Sequence, residues 1–338
     1  MYLKRYTTAS FLLIVIVGWY VYAFVTQDSY AINLFGVQLP SISIAVLISI
    51  PLIILYIGSL FHMAFYSFLN GLNNKKYEKD NEKFIDSIVD AYLGKQDRSR
   101  VYKTDRYKLL GKVIDNSNLM ATSTLKPDTP NEKINNVLEI IEELKNGKIV
   151  NLKKYSLEVS NQLTIINQRN MYKNGDLSAE NILNARDKYT KSFLEEVYID
   201  FVKESPLYAI DKYKENLTQE ALFIILGRIN ADENTLEITN DELMSLFSHL
   251  ELNSDDYIAI SRAVSLNMVP EQRIKLFERL SESSEEMLGA YLYTLFDLEM
   301  LSPAEELLNN TQQDEYLNFK SYRALKECGK NFNIDLFV

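Results

Sequence analysis

Residues 42–69 read ISIAVLISIPLIILYIGSLFHMAFYSFL, and residues 6–26 read YTTASFLLIVIVGWYVYAFVT. Neither stretch contains an Asp, Glu, Lys or Arg. An α-helix rises about 1.5 Å per residue and the hydrocarbon core of a bilayer is about 30 Å thick, so each stretch is long enough to cross it. The sequence therefore predicts two transmembrane helices, over 6–26 and 42–69, joined by a short loop.

The charges that flank these stretches predict their orientation. Lys4 and Arg5 precede the first stretch, three lysines follow the second between residues 75 and 79, and the loop carries only Asp28. By the positive-inside rule both termini lie in the cytoplasm and the loop outside. A cleaved signal peptide is the alternative for the first stretch, but bulky residues fill its end and a second stretch follows closely. We expect a two-pass protein of the bacterial inner (cytoplasmic) membrane.

Charge and cysteine content restrict the partners of the remaining chain. From Lys75 onward there are 34 Lys and Arg against 45 Asp and Glu, a net charge of −11. Phosphate backbones would repel such a domain, so nucleic acid is disfavoured as a partner. The single cysteine, Cys328, excludes an internal disulfide framework and a Cys-rich metal site. The expected partners are proteins, together with the bilayer itself.

The predicted membrane hairpin comprises residues 1–72. The region after it has the hydrophobic spacing of amphipathic helices. We predict a juxtamembrane helical segment over 73–115, a polar linker over 116–130 and a helical domain over 131–338. The fold class is therefore all-α. A degenerate α-solenoid of tetratricopeptide-like hairpins and an irregular helical bundle both fit the sequence.

Several helix starts carry capping signals. Thr239 with Glu242 and Ser283 with Glu286 have the capping-box spacing, in which a hydroxyl and a glutamate satisfy each other's backbone donors. Together with inferred starts near residues 218, 254 and 269, they indicate helices about 15 residues apart. Hairpins of about 30 residues follow, which is the size of a tetratricopeptide-like unit.

Residues that commonly carry chemistry are scarce. The 11 glycines are too spread out for a phosphate-binding loop or a nucleophile elbow. His62 and His249 are the only histidines, and they are too far apart in sequence to predict a metal site with Cys328. We predict no catalytic, cofactor-binding or metal-binding residue and no cofactor. Pairs of adjacent carboxylates are common, so a membrane-tethered enzyme that uses carboxylates alone is the alternative.

Two sets of residues are candidates for binding. Aromatic side chains are favoured at protein interfaces, and five of them could line a protein-binding concavity: Tyr291, Tyr293, Tyr316, Phe319 and Tyr322. Ordinary helix packing explains the same residues. In the second transmembrane stretch, Pro51, Gly58 and Ser59 are candidates for packing against a partner helix, although no GxxxG motif is present.

The hairpin resembles the lipopolysaccharide assembly protein A family over about residues 1–95. The resemblance rests on the basic start, on residues 31–40 (AINLFGVQLP), on the run from Ile44 to Gly58, and on the helix from about Glu78. Pro51 and Tyr56 depart from the family's smoother apolar run, and a long soluble region follows where typical members nearly end. In that family's pathway, a membrane-anchored tetratricopeptide protein regulates lipopolysaccharide synthesis through a membrane protease.

These observations together predict an inner-membrane-anchored adaptor. Its cytoplasmic helical domain would bind protein partners, and the resemblance implies partners in lipopolysaccharide or envelope assembly, such as components of a membrane protease. Confinement to the bilayer would raise the effective concentration of the domain near membrane partners. An accessory subunit of a transport or secretion complex is a further alternative.

Overall fold

The computed structural model describes residues 2–31, 33–34, 37–38, 40–96, 98–122 and 127–338, and the described chain is mainly helical, as predicted. It divides into two compact units, Met1–Val137 and Leu138–Val338. Of the predicted linker over 116–130, residues 123–126 lie outside the described residues.

The first unit is built on helices of very different length. They are α1 (Tyr2–Tyr20), α2 (Ile44–Tyr92) and α3 (Asp105–Asp115), with α4 (Glu132–Lys145) beginning in this unit and ending in the second. A π-helical turn, Val21–Val25, extends α1. Within the described residues, two helices are long and apolar enough to cross a membrane, Lys4–Val25 and Ile44–Tyr92, and their apolar windows are only 6% and 11% buried in the protein.

The loop between α1 and α2 forms short antiparallel strand pairs. β1 (Ser29–Tyr30) pairs with β4 (Ile42–Ser43), and β2 (Asn33–Leu34) pairs with β3 (Val37–Gln38). Four residues of the family-like pattern over 31–40 lie outside the described residues: Ile32, Phe35, Gly36 and Leu39.

Helix α2 is one continuous helix of 49 residues with Pro51 inside it. It passes without a break from the apolar stretch into the charged region after Lys75, although the sequence suggested separate segments on either side of residue 72. At 1.5 Å per residue it is about 74 Å long, more than twice the thickness of a hydrocarbon core. The apolar stretch and the start of the charged region are therefore parts of one helix.

The second unit is a set of short helices around a single hydrophobic core. Its helices after α4 are α5 (Gln162–Lys173), α6 (Ala179–Asn184), α7 (Lys191–Phe201), α8 (Leu207–Lys212), α9 (Gln219–Gly227), α10 (Asn240–Phe247), α11 (Ser254–Val264), α12 (Pro270–Ser283), α13 (Leu288–Asp297), α14 (Leu301–Asn309) and α15 (Leu317–Glu327). Helix α13 is its most buried helix, because every residue from Gly289 to Phe296 is buried. It packs against α11, α12 and α14.

The capping predictions have mixed outcomes. Thr239 and Glu242 form the predicted capping box at the start of α10. The prediction at Ser283 is wrong, because α12 continues through Ser283 and only a short 3₁₀ turn, Glu285–Met287, follows. The predicted start near residue 254 is confirmed, because α11 begins at Ser254, and its N-cap Asn253 forms a capping box with Asp256.

Candidate functional site

The five aromatic residues predicted for binding do come together in the second unit. Tyr291 and Tyr293 lie on α13, Phe319 and Tyr322 lie on α15, and Tyr316 directly precedes α15. All except Tyr316 are at most 9% exposed. Their rings therefore contribute mainly to the core of this unit, and their role in binding a protein stays a prediction.

Phe296, which sequence reasoning did not single out, joins α13 to α15. Its ring stacks on Phe319 with centroids 6.1 Å apart and meets Tyr322 edge-on at 5.3 Å. Such offset and edge-to-face geometries are the favoured aromatic arrangements. The signal that could have found Phe296 is its helical spacing from Leu292 and Tyr293 on α13.

The aromatic rings on α13 and α15 form an aromatic layer, and the residues after α15 dock on it. Tyr293 donates its hydroxyl to Asp335 Oδ1 at 2.7 Å, and Arg262 Nε donates to the same atom at 2.8 Å. The Tyr322 hydroxyl donates to the carbonyl oxygen of Phe332 at 3.0 Å, and Ile334 is 2% exposed. In this structure the polar edge of the aromatic layer is occupied by the chain itself.

This docking shifts two ionisation equilibria. Burial and, next in size, the hydrogen bond that the phenol donates to Asp335 together raise the pKa of Tyr293 to about 12. The same hydrogen bond from Tyr293 lowers the pKa of the Asp335 carboxyl, and the Arg262 guanidinium lowers it as well. Both shifts favour the state in which the phenol is protonated and the carboxylate is charged.

A buried arginine lies beside the same layer. Arg273 is fully buried on α12, and its Nη1 pairs with Asp297 Oδ2 at 2.5 Å while its Nη2 donates to Ser261 Oγ at 3.1 Å. Ser261 and Thr294 share a further hydrogen bond of 2.7 Å. Because a buried charge is stable only when paired and hydrogen-bonded, these contacts fix α11, α12 and α13 to one another.

Two of the three residues predicted for helix packing, Gly58 and Ser59, line a cleft between α1 and α2. Tyr6 from α1 lines it together with Gly58, Ser59 and His62 from α2, and its volume is about 610 Å³. A Cβ added at Gly58 would have no atom of the protein within 4 Å. Pro51 does not line this cleft. The structure thus leaves Gly58 and Ser59 open to a further helix or to lipid, and their partner stays a prediction.

Sequence reasoning missed a buried carboxylate in the first unit, Asp80, which is 1% exposed on α2. Its oxygens accept hydrogen bonds from the backbone N–H groups of Lys103 and Thr104, at 3.0 and 2.7 Å, and from Thr104 Oγ1 at 2.7 Å. Burial acts to raise the pKa of Asp80, but the hydrogen bonds from Thr104 and Lys103 outweigh it and lower the pKa below its ordinary value. Asp80 thereby holds the start of α3, whose N-cap is Thr104.

A second set of polar contacts holds the segment before α3 on α2, and Tyr102 in this segment packs against the middle of α3. The hydroxyl of Tyr102, which is 6% exposed, lies 2.8 Å from Ser87 Oγ. Arg100 donates to the same oxygen at 2.8 Å and pairs with Asp90 at 2.6 Å. The ring of Tyr102 lies directly against Gly111 of α3, where a Cβ would collide with it. These partners are 9 to 15 residues apart in sequence, so no local motif announces them.

The outer face of α3 is exposed and apolar. Leu109, Leu110 and Val113 are 68%, 37% and 60% exposed, and Val101 just before the helix is 80% exposed. Contiguous exposed apolar groups of this kind commonly mark interaction sites in soluble regions.

The other side chains that could carry out chemistry do not come together in one site among the described residues. Among the described residues, no group of three or more His, Cys, Asp or Glu is placed to hold a metal ion. Cys328 is exposed, and His249 Nδ1 lies 2.7 Å from the carbonyl oxygen of Ser245. The His62 ring lies beside that of Tyr66, with centroids 4.6 Å apart.

Comparison of the chain with protein-family models, with curated proteins and with solved structures finds no match.

Proposed function

We propose that this chain is a membrane-anchored adaptor, which holds helical protein-binding surfaces at a bilayer. The observation that carries the proposal is the continuity of α2. About 20 of its 49 residues suffice to cross a hydrocarbon core, and the part from Asp80 onward holds α3 through buried hydrogen bonds. An exposed apolar helix face is therefore rigidly connected to a membrane anchor.

The orientation in this proposal places both termini and the second unit in the cytoplasm of a bacterium, at the inner membrane. It is supported by Lys4 and Arg5 in the first turns of α1 and by the lysines after the apolar part of α2, against a single Asp28 in the loop. The resemblance of residues 1–95 to the lipopolysaccharide assembly protein A family supports partners in envelope assembly or its regulation.

Cys328 allows a direct test of the orientation, because it is exposed and is the only cysteine of the chain. A membrane-impermeant maleimide should label it in opened cells but not in cells with an intact inner membrane. The matched control is Cys328→Ser combined with Asp28→Cys, which should be labelled from outside. Labelling of Cys328 in intact cells would invert the orientation, and recovery of the chain in the soluble fraction would end the proposal.

The adaptor role itself is tested by capture of the tagged full chain from detergent-solubilised membranes. The control is a different membrane protein with two transmembrane helices, which carries the same tag and no part of residues 75–338 of this chain. Envelope-assembly proteins or a membrane protease recovered in stoichiometric amount with the full chain, and absent from the control, would support the proposal. Recovery of nothing above the control would count against it.

A further inference from the structure

The exposed face of α3 has the spacing of a helix-binding surface. Arg106, Leu109, Leu110 and Val113 occur at i, i+3, i+4 and i+7, which places them on one side of a helix. Helix α3 packs on α2, and Gly111, on the side away from this stripe, is buried, as is Ile114. An apolar stripe of this kind is the pattern by which two amphipathic helices pair.

The position of α3 argues against the bilayer as the surface that covers this stripe. Thr104 binds Asp80, the hydroxyl of Tyr107 donates to Asn81 at 2.9 Å, and the N–H of Leu119 donates to the carbonyl of Ala91. Helix α3 therefore runs alongside α2, in the same direction and away from the apolar stretch. A membrane-bound amphipathic helix lies in the plane of the interface, whereas a helix parallel to a spanning helix stands up from it.

The distance along α2 leads to the same result. Asp80 is eight residues beyond Leu72, the last large aliphatic residue before Lys75, which is about 12 Å of helix. The headgroup layer on one side of a bilayer is only about 5–7 Å thick. The stripe on α3 thus starts beyond the lipid headgroups.

The charge around the stripe selects the chemistry of its partner. Residues 101–113 contain four Lys and Arg and one acidic residue, Asp105, a net charge of +3 in a chain whose net charge is −10. Asp105 is already paired with Lys108, and among the described residues Arg106 and Lys112 form no ion pair. The apolar stripe is therefore flanked by two positive charges, Arg106 and Lys112, that are not neutralised by an ion pair with any described residue.

The same charge argues against a second copy of the chain. Two copies anchored in one membrane have the same orientation, so a twofold interface through α3 would place the helices parallel with equal residues at equal heights. Arg106 would face Arg106 and Lys112 would face Lys112. Like charges at such an interface are unfavourable.

We infer that the α3 stripe is the docking surface for an amphipathic helix of another protein, whose apolar residues are flanked by Asp or Glu. The inference rests on the proposed adaptor function and specifies its partner. The apolar residues of the two helices pack together, and the acidic flank of the partner pairs with Arg106 and Lys112 next to the membrane.

The test uses the full chain in its native membrane, with a benzoylphenylalanine photo-crosslinker in place of Leu109. The matched control carries the same crosslinker in place of Leu266, an equally apolar and 89% exposed residue of the second unit. We expect a protein adduct from position 109 and not from position 266. Sequencing of the crosslinked peptide should show an amphipathic helix with acidic residues beside its apolar positions.

Charge reversal then tests the chemistry. Arg106→Glu with Lys112→Glu should lower the adduct yield about tenfold, and in isolated membranes an increase of salt from about 50 mM to about 500 mM should lower it in the unmodified chain. Because neither residue forms an ion pair among the described residues, the variant should keep the native protease-cleavage pattern. A crosslinker at Val113 repeats the test on a second position of the stripe.

Four outcomes would overturn the inference: no protein adduct from 109 or 113, adducts equal to those from 266, an adduct of twice the chain's mass, or a yield that charge reversal leaves unchanged. Each is distinguishable from failure of the adaptor proposal. If the chain is membrane-bound and captures partners but gives no adduct from α3, only the inference fails. If the chain is soluble or captures nothing, the proposed function fails.

Discussion

Gly111 lies inside α3, where helix propensity and packing make opposite predictions for a substitution by alanine. Alanine is favoured over glycine in a helix interior by about 1 kcal/mol, because it restricts the unfolded chain. A Cβ at Gly111, however, would lie 2.5 Å from Cδ2 and 2.7 Å from Cζ of Tyr102. Both distances are shorter than any carbon–carbon contact can be, so the ring must move.

The cost follows from what holds Tyr102. The ring is 6% exposed and its hydroxyl is hydrogen-bonded to Ser87 on α2. Overpacking of a well-packed site costs about 1–3 kcal/mol, and loss of the buried hydrogen bond adds about 1 kcal/mol. After the propensity gain is subtracted, Gly111→Ala should weaken the docking of α3 by about 2 kcal/mol. That free energy corresponds to an opening equilibrium about 30-fold larger.

Hydrogen exchange of the full chain in lipid nanodiscs, followed by mass spectrometry, measures this opening directly in peptides that cover α3. The control is Gly227→Ala at the end of α9, where no atom lies within 4 Å of the added Cβ. It should leave exchange in its own helix unchanged or slow it. Exchange in α3 should accelerate about 30-fold in Gly111→Ala.

The decisive comparison is made in a Tyr102→Ala background, which removes the colliding ring. There Gly111→Ala should slow the exchange of α3, since only the propensity term is left, and the double-mutant cycle isolates the collision. If Gly111→Ala slows exchange in the native background, or accelerates it equally in both backgrounds, the packing argument is refuted.

Three further predictions concern buried polar groups. Asp80→Asn should accelerate hydrogen exchange in α3. Because the pKa of Asp80 is lowered in the folded chain, its stabilisation of α3 should be complete above about pH 4 and should be lost as the pH falls through the folded-state pKa. The Asn variant should not show this loss once exchange is corrected for the intrinsic rate. Arg273→Ala should cost about 3 kcal/mol in chemical unfolding of the second unit, at the low end for a broken buried pair because Asp297 is 29% exposed, and Arg273→Met with Asp297→Leu should cost much less. Tyr293 should ionise near pH 12 in an ultraviolet titration, and stability should fall as the pH rises from about 10 towards that value, whereas Tyr293→Phe should not show this loss.

The presence of α1 and α2 can be predicted from the sequence, because an uncharged, apolar run of about 20 residues is typical of a membrane-spanning helix. The end of α2 cannot. The composition changes sharply at Lys75, but a change of polarity does not end a helix; a cap, a proline or a left-handed residue does. The structure places the end of α2 just before Gly94, which has a φ of +67°. Glycine alone would not have predicted this end, because Gly71 also follows the apolar run and lies inside α2.

The contrast between Thr239 and Ser283 has a similar cause. Both have a glutamate three residues later, but a capping box forms only where the chain is not already helical. The chain before Thr239 is extended, with a ψ of 161° at the cap, whereas Ser283 lies in the last turn of α12. Where a preceding helix ends depends on tertiary packing, which a four-residue pattern does not contain.

The contacts that build the α3 site are further from prediction, since Asp80 and Thr104 are 24 residues apart and nothing in either local sequence specifies the other. Their pairing nevertheless accounts for the position of the exposed stripe. An apolar contact between α2 and α3 would tolerate sliding by a turn, which is about 5.4 Å, whereas a buried carboxylate that must receive the N–H groups of Lys103 and Thr104 has one acceptable register. The desolvation of Asp80 is thus offset by hydrogen bonds that exist at a single height on α2. Because α2 is continuous with the apolar anchor, that register also fixes the height of Leu109 above the membrane in the proposed adaptor. A partner helix would therefore be held at a set distance from the bilayer. In variants of Asp80 the position of α3 along α2 should vary, so this distance should become variable before binding is lost.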